Sequence, residues 1–384
     1  MSTYLDAAAT APLLPQARAA MERIFDAGNA NPSSVHSPGQ WAAREVAAAR
    51  ATVASVFGVP DTGVIFTSGG TEANNLGIIG RALADPRGRH ILTTRTQHSS
   101  VLASCDYLHR LHGFTVEYVP VDNNGQVQRD DLIERLRPDT TLIALDLANG
   151  EVGTVTDLDG IPAHLLHLDA VQAAASLPVS LAPDGWPGPH AATMAVASHK
   201  FGGPQGVGAL VLPQDIPLEP LIHGGNQEHG RRAGTHNVAG ICGFAAAVGE
   251  HAATVGTRAL ALMDSRDRLI RAVEKHIPGA RLTGHRTERL PGHASFVFPG
   301  VSGESLLVAL DAAGYAVSSG SACRAGSQDP SPVLIALGYS PEEAHSALRF
   351  SLAQPLDDAT IAQIVRVLAG EVTQWDKNNN QSMG

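Results

Sequence analysis

The stretch Gly63–Glu72, GVIFTSGGTE, sets the fold class, because a short apolar run ends there in a glycine-rich turn that leads into a helix. A short, nearly continuous apolar run is typical of a strand buried on both faces of a mostly parallel sheet. The segment after the turn is predicted to be helical. The stretch therefore predicts one βα unit of an α/β protein.

Working outward from this unit, six more apolar runs occur, separated by helical stretches. They are predicted as strands at His90–Thr94, Thr115–Val121, Thr141–Leu147, His164–Leu168, Thr193–Ala197 and Val207–Leu212. Before them, apolar residues recur every three or four positions over Pro38–Phe57, which predicts a helix. We expect Ser37 to cap this helix and Gly58 to end it.

A second, smaller set of elements follows residue 256. Its predicted strands lie near Ala294–Phe298, Ala316–Ser319 and Ala347–Leu352, with helices over Glu304–Ala312 and from Asp358 to about Trp375. The sequence therefore predicts a large α/β domain with a mostly parallel sheet, followed by a smaller C-terminal α/β domain.

The composition is that of a compact protein, with 43% hydrophobic and 17% charged residues in 384. The net charge of −10 and the absence of a Lys/Arg-rich run argue against a surface for nucleic acid or for an anionic membrane. No 18 consecutive apolar residues occur, and the first ten residues lack the basic and apolar parts of a signal peptide. We expect a protein that is neither secreted nor membrane-spanning.

Three cysteines occur, Cys105, Cys242 and Cys323, widely separated and without a CxxC pair or metal-ligand spacing. This pattern favours a reducing, cytoplasmic compartment and predicts no metal site.

Ligands of open parallel sheets bind at the carboxyl ends of the strands, so the residues that follow the strands are the candidates for a site. The polar ones are Thr71, His98, Asn149, Asp169 and Lys200. The turn that contains Gly70 and Thr71 opens a helix, whose free N–H groups suit a phosphate. The alternative is a tight turn in which Thr71 is an ordinary helix cap.

Asp169 and Lys200 are the pair of groups that pyridoxal phosphate requires. The lysine amine binds the cofactor covalently, and the carboxylate keeps the pyridine nitrogen protonated. Taken singly, Lys200 is better explained as a lysine in a solvent-exposed loop, and Asp169 as a helix cap. Together with the phosphate turn, they predict pyridoxal 5'-phosphate as the cofactor.

Nine ordered segments then resemble a known family. They are Tyr4–Pro12 (YLDAAATAP), Asn31–Gly39 (NPSSVHSPG), Phe66–Asn75 (FTSGGTEANN), Asn149–Gly153 (NGEVG), His167–Ala173 (HLDAVQA), Ser198–Gly208 (SHKFGGPQGVG), Gly224–Val238 (GGNQEHGRRAGTHNV), Ser318–Cys323 (SSGSAC) and Ala344–Leu352 (AHSALRFSL). They are similar to the pyridoxal-phosphate-dependent cysteine desulfurases of the NifS/IscS type, within the class V aminotransferase group. The resemblance implies an aspartate aminotransferase-like fold (fold type I) and a homodimer. It also implies a large domain of residues 14–256 and a small domain of residues 1–13 and 257–384.

The resemblance also implies roles for individual residues. Lys200 matches the covalent lysine, Asp169 the partner of the pyridine nitrogen, Gln172 the partner of the phenolic oxygen, and His98 the histidine over the ring. The implied phosphate ligands are Gly70, Thr71 and His199, with Thr235 reaching the phosphate of the neighbouring subunit. Ala197 replaces a serine of the phosphate site, which leaves Ser198 and His199 as the expected donors on that turn. Asn149 and Arg349 are the implied substrate ligands, and a structural ion pair is the alternative for Arg349.

Cys323 distinguishes a desulfurase from an ordinary aminotransferase. Its glycine- and serine-rich segment, Ser318–Ser327, predicts a mobile, exposed loop, and the neighbouring Arg324 would favour the thiolate. Cys105 and Cys242 lie in apolar, helical surroundings and are expected to be buried.

The implied reaction converts L-cysteine to L-alanine and leaves a persulfide on Cys323, which an acceptor protein takes. The acceptor would be a scaffold or sulfurtransferase, serving iron–sulfur clusters, tRNA thiolation or DNA phosphorothioation. The alternatives are a selenocysteine lyase or another class V enzyme, and an inactive scaffold with the same fold. The scaffold is suggested by Gly150 and Ala197, where the family commonly has asparagine and serine. Ala7, Ala353 and Gln205 also depart from the family pattern.

Overall fold

The computed structural model describes residues 3–28, 30–319 and 329–382. The strands are β1 Thr3–Tyr4, β2 Val64–Thr67, β3 His90–Thr93, β4 Thr115–Tyr118, β5 Thr140–Asp146, β6 Leu166–Asp169, β7 Val179–Ser180, β8 Trp186–Pro187, β9 Thr193–Ala197, β10 Gly208–Val211, β11 Arg281–Leu282, β12 His293–Val297, β13 Tyr315–Ala316 and β14 Ala347–Ser351. The helices are α1 Pro15–Asp26, α2 Ser37–Phe57, α3 Gly70–Asn75, α4 Arg81–Ala84, α5 Ser99–His112, α6 Arg129–Arg135, α7 Val238–His276, α8 Gly303–Ala312, α9 Pro332–Ala336, α10 Pro341–His345 and α11 Asp358–Ser382.

The central sheet has seven strands in the order β2-β10-β9-β6-β5-β3-β4. All neighbours are parallel except β10, which is antiparallel to both β9 and β2. β2, β3, β5, β6, β9 and β10 are buried along their whole length, as their apolar runs predict. The predicted mostly parallel α/β sheet is confirmed, and all seven predicted runs contribute a strand to it.

The N-terminal cap of helix α2 differs from the sequence prediction. Ser37 is already helical, and the cap is the preceding His36, whose Nδ1 accepts a hydrogen bond from the Gly39 N–H at 3.2 Å. Gly58 ends the helix as predicted, with a φ of 67° that glycine adopts without a steric penalty.

Helix α7 is 39 residues long and joins the two parts of the chain. Its first part, Ala239–Val248, packs in the core beneath the central sheet, whereas Leu262–Val273 pack in a second core with β12, β14 and α11. The predicted domain boundary after residue 256 falls inside this helix and stays a prediction. Helix α7 is also long and apolar enough to cross a membrane, but 67% of its apolar stretch is buried inside the protein.

The N-terminal segment, residues 3–14, connects the small sheets to the central one. β1 pairs with β13, and Leu5 packs in the second core. Further along, the Ala11 N–H donates to the His199 carbonyl at 2.9 Å and the Leu14 N–H to the Gly202 carbonyl at 2.8 Å. The segment therefore crosses directly beside the end of β9.

Candidate active site

The carboxyl ends of five strands of the central sheet lie at one edge. β3, β5, β6 and β9 run in the same direction, and β2 shares it because β2 and β9 both pair antiparallel with β10. The predicted residues Thr71, His98, Asn149, Asp169 and Lys200 follow or end these strands. The topology therefore brings this set to a single edge, as the sequence predicts.

The turn after β2 opens α3 without a side-chain cap. Gly69 is the capping residue and Thr71 is exposed, so Thr71 is not a helix cap. Gly70 lies close to the site, since a methyl group there would be 2.6 Å from Val171 Cγ2. The first N–H groups of α3 have no capping side chain, which suits a phosphate.

Glu72 ties this turn to the segment that precedes Thr235. Its carboxylate accepts from the Ser68 N–H at 2.7 Å and from Arg232 Nε at 2.8 Å. Burial raises the pKa of Glu72, but the hydrogen bonds from Arg232 and Ser68 outweigh it and the net pKa is lowered. Glu72 is therefore ionised beside the turn, and Arg232 balances its charge.

Lys200 and Gln172 meet at the N-terminal segment. Lys200 Nζ donates to the carbonyls of Ala8 and Ala9, the second at 2.9 Å, and Gln172 Nε2 donates to the same Ala8 carbonyl at 2.9 Å. Lys200 and Gln172 also line a cavity of about 140 Å³. Two side chains predicted to contact one cofactor thus share one backbone acceptor.

Asp169 ends β6 and is buried. Its Oδ2 accepts from Asn74 Nδ2 at 2.7 Å, and its Oδ1 accepts from the Val171 N–H at 3.0 Å. β6 lies directly beside β9, the strand that leads into Lys200. The carboxylate, the amine and the uncapped start of α3 are the donor set that pyridoxal phosphate needs, so the described residues fit this cofactor.

Arg349 is held in an ion pair. It lies in β14, where Nη2 donates to Asp6 Oδ1 at 2.7 Å and Nη1 donates to the Gly150 carbonyl at 2.9 Å. The structural ion pair that was the alternative role of Arg349 is therefore present. A guanidinium has five N–H groups, so this pairing leaves its role toward a substrate carboxylate a prediction.

Asn149 makes its hydrogen bonds inside the protein. Its Nδ2 donates to the Thr96 carbonyl at 2.9 Å and to Asp146 Oδ2 at 3.0 Å, and its Oδ1 accepts from the N–H groups of Glu151 and Val152. These four bonds use both N–H groups and both lone pairs of the amide. These bonds show Asn149 holding the turn at Gly150, and its role as a substrate ligand stays a prediction.

The turn after β9 separates two predicted phosphate ligands. His199 Nδ1 lies 3.1 Å from Thr10 Oγ1, and burial, with Lys200 nearby, lowers the pKa of His199 to about 4, so the ring is neutral. Ser198 is fully buried on the side of Gly203, where a methyl group would lie 2.3 Å from Ser198 Oγ.

The phosphate turn is faced by the residue before Ser198. A methyl group at Gly70 would lie 3.3 Å from Ala197 Cβ. Ala197 is the last residue of β9 and Ser198 begins the helical turn that follows, so the role of Ser198 as a phosphate donor stays a prediction. Gly150 is another position at which the chain departs from the family pattern. A methyl group there would lie 3.0 Å from Gln172 Cγ.

Thr235 is exposed on a segment that a buried carboxylate holds in place. Glu228 Oε1 lies 2.7 Å from His236 Nε2, and both Glu228 oxygens accept from Arg50 at 2.7 Å. Burial raises the pKa of Glu228, but the hydrogen bonds from His236 and Arg50 outweigh it and bring it to about 2. Glu228 also adopts a positive φ of 50°, which a non-glycine residue tolerates only when its contacts fix it.

Two of the three cysteines are buried, as the sequence predicts. Cys105 and Cys242 are buried, and burial raises the pKa of their thiols to about 12 and about 11. The predicted catalytic Cys323 lies outside the described residues.

Asp146, a buried carboxyl beside Asp169, was not predicted as a site residue. It is directly opposite Asp169 in the register of β5 and β6, and its Oδ1 accepts from Gln97 Nε2 at 3.1 Å. Burial, and then the charge of Asp169, raise the pKa of Asp146 to about 6. The available signal was one charged residue inside the apolar run TLIALDL.

We expect Asp146→Asn to stabilise the cofactor-free protein more at pH 7.5 than at pH 4.5. A carboxyl whose pKa is raised on folding stabilises the fold at low pH, and this stability is lost as the pH rises through about 6. Asparagine carries no charge at either pH. The difference in unfolding free energy between variant and parent should therefore grow by about 2 kcal/mol between the two pH values, measured by urea unfolding.

The matched control is Asp130→Asn, which changes an exposed carboxyl in the first turn of α6. Its effect on stability should be nearly the same at both pH values. An Asp146→Asn effect that does not change with pH would contradict the assignment of a raised pKa.

Comparison with known proteins places these observations in a family. The family model described as Aminotransferase class-V matches residues 3–363. The chain is 41% identical to a protein named cysteine desulfurase IscS from Dictyoglomus turgidum, over 91% of this chain and 89% of that protein. Among solved structures, a NifS-like protein superposes with a TM-score of 0.87 and 30% identity, covering 97% of this chain and all of that one. A structure of SspA in complex with cysteine has a TM-score of 0.76 and 29% identity, covering 93% and all of the respective chains.

Proposed function

This chain belongs to the class-V aminotransferase family and is a cysteine desulfurase, and from that premise we propose how its own residues carry the reaction. The proposed cofactor is pyridoxal 5'-phosphate, held covalently by Lys200, at its pyridine nitrogen by Asp169 and at its phenolic oxygen by Gln172. The phosphate would lie at the start of α3. The observation that carries the proposal is the convergence of these groups at one sheet edge.

The chemistry at the substrate Cα depends on Lys200 and His98. When bound, pyridoxal phosphate withdraws electrons from the Cα of an amino acid. Lys200 is proposed to move the Cα proton, because an unprotonated amine can accept a proton and return it. His98 is proposed to cover the ring and to exchange a proton with the substrate thiol.

Arg349 is proposed to bind the substrate carboxylate. In the structure its guanidinium pairs with Asp6 and the Gly150 carbonyl, which fixes its plane before a substrate arrives. A planar fork of this kind suits a carboxylate with two oxygens. The structure of SspA in complex with cysteine supports L-cysteine as the substrate.

The sulfur is proposed to pass to Cys323. The C–S bond of L-cysteine breaks and an S–S bond to Cys323 forms, so that L-cysteine and the Cys323 thiol give L-alanine and a Cys323 persulfide. No external oxidant or reductant is needed for this step. An acceptor protein, a scaffold or sulfurtransferase in the cytoplasm, then takes the terminal sulfur.

The experiment that tests this function measures L-alanine from L-cysteine and from L-selenocysteine. We expect alanine and sulfide in equal amounts from L-cysteine in the presence of pyridoxal phosphate and a thiol reductant. Turnover of L-selenocysteine alone would instead support a selenocysteine lyase. Cofactor binding without any turnover of either amino acid would support the inactive scaffold.

We expect the protein to sediment as a homodimer, because Thr235 is exposed and its proposed phosphate lies in the neighbouring subunit. Thr235→Ala should leave the dimer intact and weaken pyridoxal phosphate binding several-fold, consistent with the loss of about one hydrogen bond. Sedimentation velocity and a cofactor titration measure the two effects. A monomer that binds the cofactor tightly and turns over L-cysteine would exclude the shared site.

A further inference from the structure

Asn74 is a buried side chain that the proposed mechanism does not use, yet it contacts both sides of the candidate active site. It lies in α3 and is 1% exposed. Its Nδ2 donates to Asp169 Oδ2 at 2.7 Å and to Ser100 Oγ at 2.9 Å, and its Oδ1 lies 3.0 Å from His167 Nε2. Both N–H groups and the oxygen of this amide therefore have protein partners.

The partners of Asn74 determine which way its amide points. A carboxylate only accepts hydrogen bonds, so the nitrogen faces Asp169 and the oxygen faces His167. That oxygen also only accepts, so Nε2 of His167 carries the proton, and its Nδ1 accepts from the Thr193 hydroxyl at 2.7 Å. Burial, and then Arg81, lower the pKa of His167 to about 3, which keeps its ring neutral in this tautomer.

Ser100 links Asn74 to His98 by hydrogen bonds. Ser100 Oγ accepts from Asn74 and lies 2.8 Å from His98 Nδ1, so its hydroxyl proton can be donated to that nitrogen. The Ser100 backbone N–H donates to the same nitrogen at 3.2 Å. Nδ1 of His98 is therefore an acceptor, and the proton of the neutral ring lies on Nε2.

The helix after Asn74 is shaped to admit the His167 ring. Leu76–Gly80 form one π-helical turn, an irregularity that often occurs at functional sites. A methyl group at Gly77 would lie 2.4 Å from Cε1 and Nδ1 of His167. Only glycine allows the ring to lie this close to the helix, so residue type and helix geometry both serve the contact between His167 and Asn74.

We propose that Asn74 is a positioning residue that orients Asp169 and His98 together, with His167 and Thr193 fixing the direction of its amide. The inference rests on the proposed function, which assigns Asp169 to the pyridine nitrogen and His98 to the ring face. Partners behind a ligand group fix its geometry and tune its basicity, as they do around metal sites. One amide thereby couples the two groups that contact the cofactor ring.

The first test measures the affinity of the cofactor-free, full-length protein for pyridoxal phosphate by fluorescence titration. Asn74→Ala should weaken binding about 10- to 100-fold, by analogy with the loss of hydrogen-bond partners behind metal ligands. Ser100→Ala should weaken it several-fold. The matched control is Ser104→Ala, which removes a buried hydroxyl one turn later in α5 that donates to the Ser100 carbonyl at 2.7 Å, and it should leave binding within about twofold.

The second test reads the tautomers directly and needs no cofactor. Nitrogen-15 NMR of the histidine rings should find the proton of neutral His98 on Nε2 in the parent protein and in Ser104→Ala. Ser100→Ala and Asn74→Ala should shift His98 toward a mixture of tautomers. Thr193→Val should shift His167 toward a mixture of tautomers. This variant tests the orientation of the Asn74 amide if Asn74→Ala does not fold.

The outcomes separate this inference from the function on which it rests. A parent protein that binds no pyridoxal phosphate contradicts the proposed function, while the tautomers still test the hydrogen-bond network. A parent that binds the cofactor, with an Asn74→Ala variant that binds it as tightly and keeps the His98 tautomer, overturns the inference.

Discussion

Lys200→Ala is expected to abolish L-cysteine turnover and the covalent attachment of pyridoxal phosphate. Lys200 is the one lysine of the chain that follows a strand at the carboxyl edge of the sheet, since the other two lysines lie at positions 275 and 377. Loss of a positioned base alone costs on the order of 10² to 10⁴-fold in rate, and the loss of covalent attachment adds to this. Alanine production should therefore fall to the background of free cofactor.

The measurement combines an alanine assay with borohydride reduction and mass spectrometry of the protein. In the parent, the reduced cofactor should be found on the peptide that contains Lys200. Lys275→Ala, a change in the last turn of α7, is the matched control and should keep full activity. A reduced cofactor adduct on the Lys200→Ala variant would refute the assignment.

Cys323→Ser is expected to stop the reaction at sulfur transfer without preventing cofactor or substrate binding. Lys200, Asp169, Gln172 and Arg349 are unchanged in this variant, so the cofactor spectrum should still respond to L-cysteine. Serine is a poor acceptor of sulfur from the substrate, because the persulfide needs a thiolate nucleophile. Alanine production should fall to background, a loss of the same order as for Lys200→Ala.

The controls for Cys323 are the two buried thiols. Cys105→Ser and Cys242→Ser should keep their activity and lose about 1 to 3 kcal/mol of stability, the cost of burying a hydroxyl without a good partner. After a brief pulse of L-cysteine, mass spectrometry should find the extra sulfur on the Cys323 peptide. Its presence on Cys105 or Cys242 instead would require a different mechanism.

The central sheet could be predicted from the sequence because the signal is local. Runs such as TMAVA and TLIALDL are apolar nearly throughout, and a strand buried on both faces needs no partner in the sequence to be recognised. The site residues at the strand ends could be predicted from the same pattern, because the carboxyl ends of parallel strands lie at one edge of the sheet. This is why Asp169 and Lys200 could be paired before the fold was known.

Other features depend on contacts that no local pattern contains. The Ser198 hydroxyl lies against Gly203, where a methyl group would be 2.3 Å from it, and the cap of α2 is a histidine instead of the expected serine. Asn74 lies inside the quoted FTSGGTEANN motif, but nothing in those letters shows that it reaches Asp169 and Ser100 at once. The contact of Lys200 with the N-terminal segment is likewise a property of the fold, since 192 residues separate it from Ala8.

The N-terminal segment also affects how the chain folds. Its partners lie near the opposite end of the chain: the Thr3 N–H donates to the Gly314 carbonyl at 2.8 Å, and the Ala8 N–H donates to Ser351 Oγ, 343 residues away, at 2.9 Å. Closing contacts over so long a separation is slow, so we expect the pairing of this segment with β13 and β14 to form late in folding.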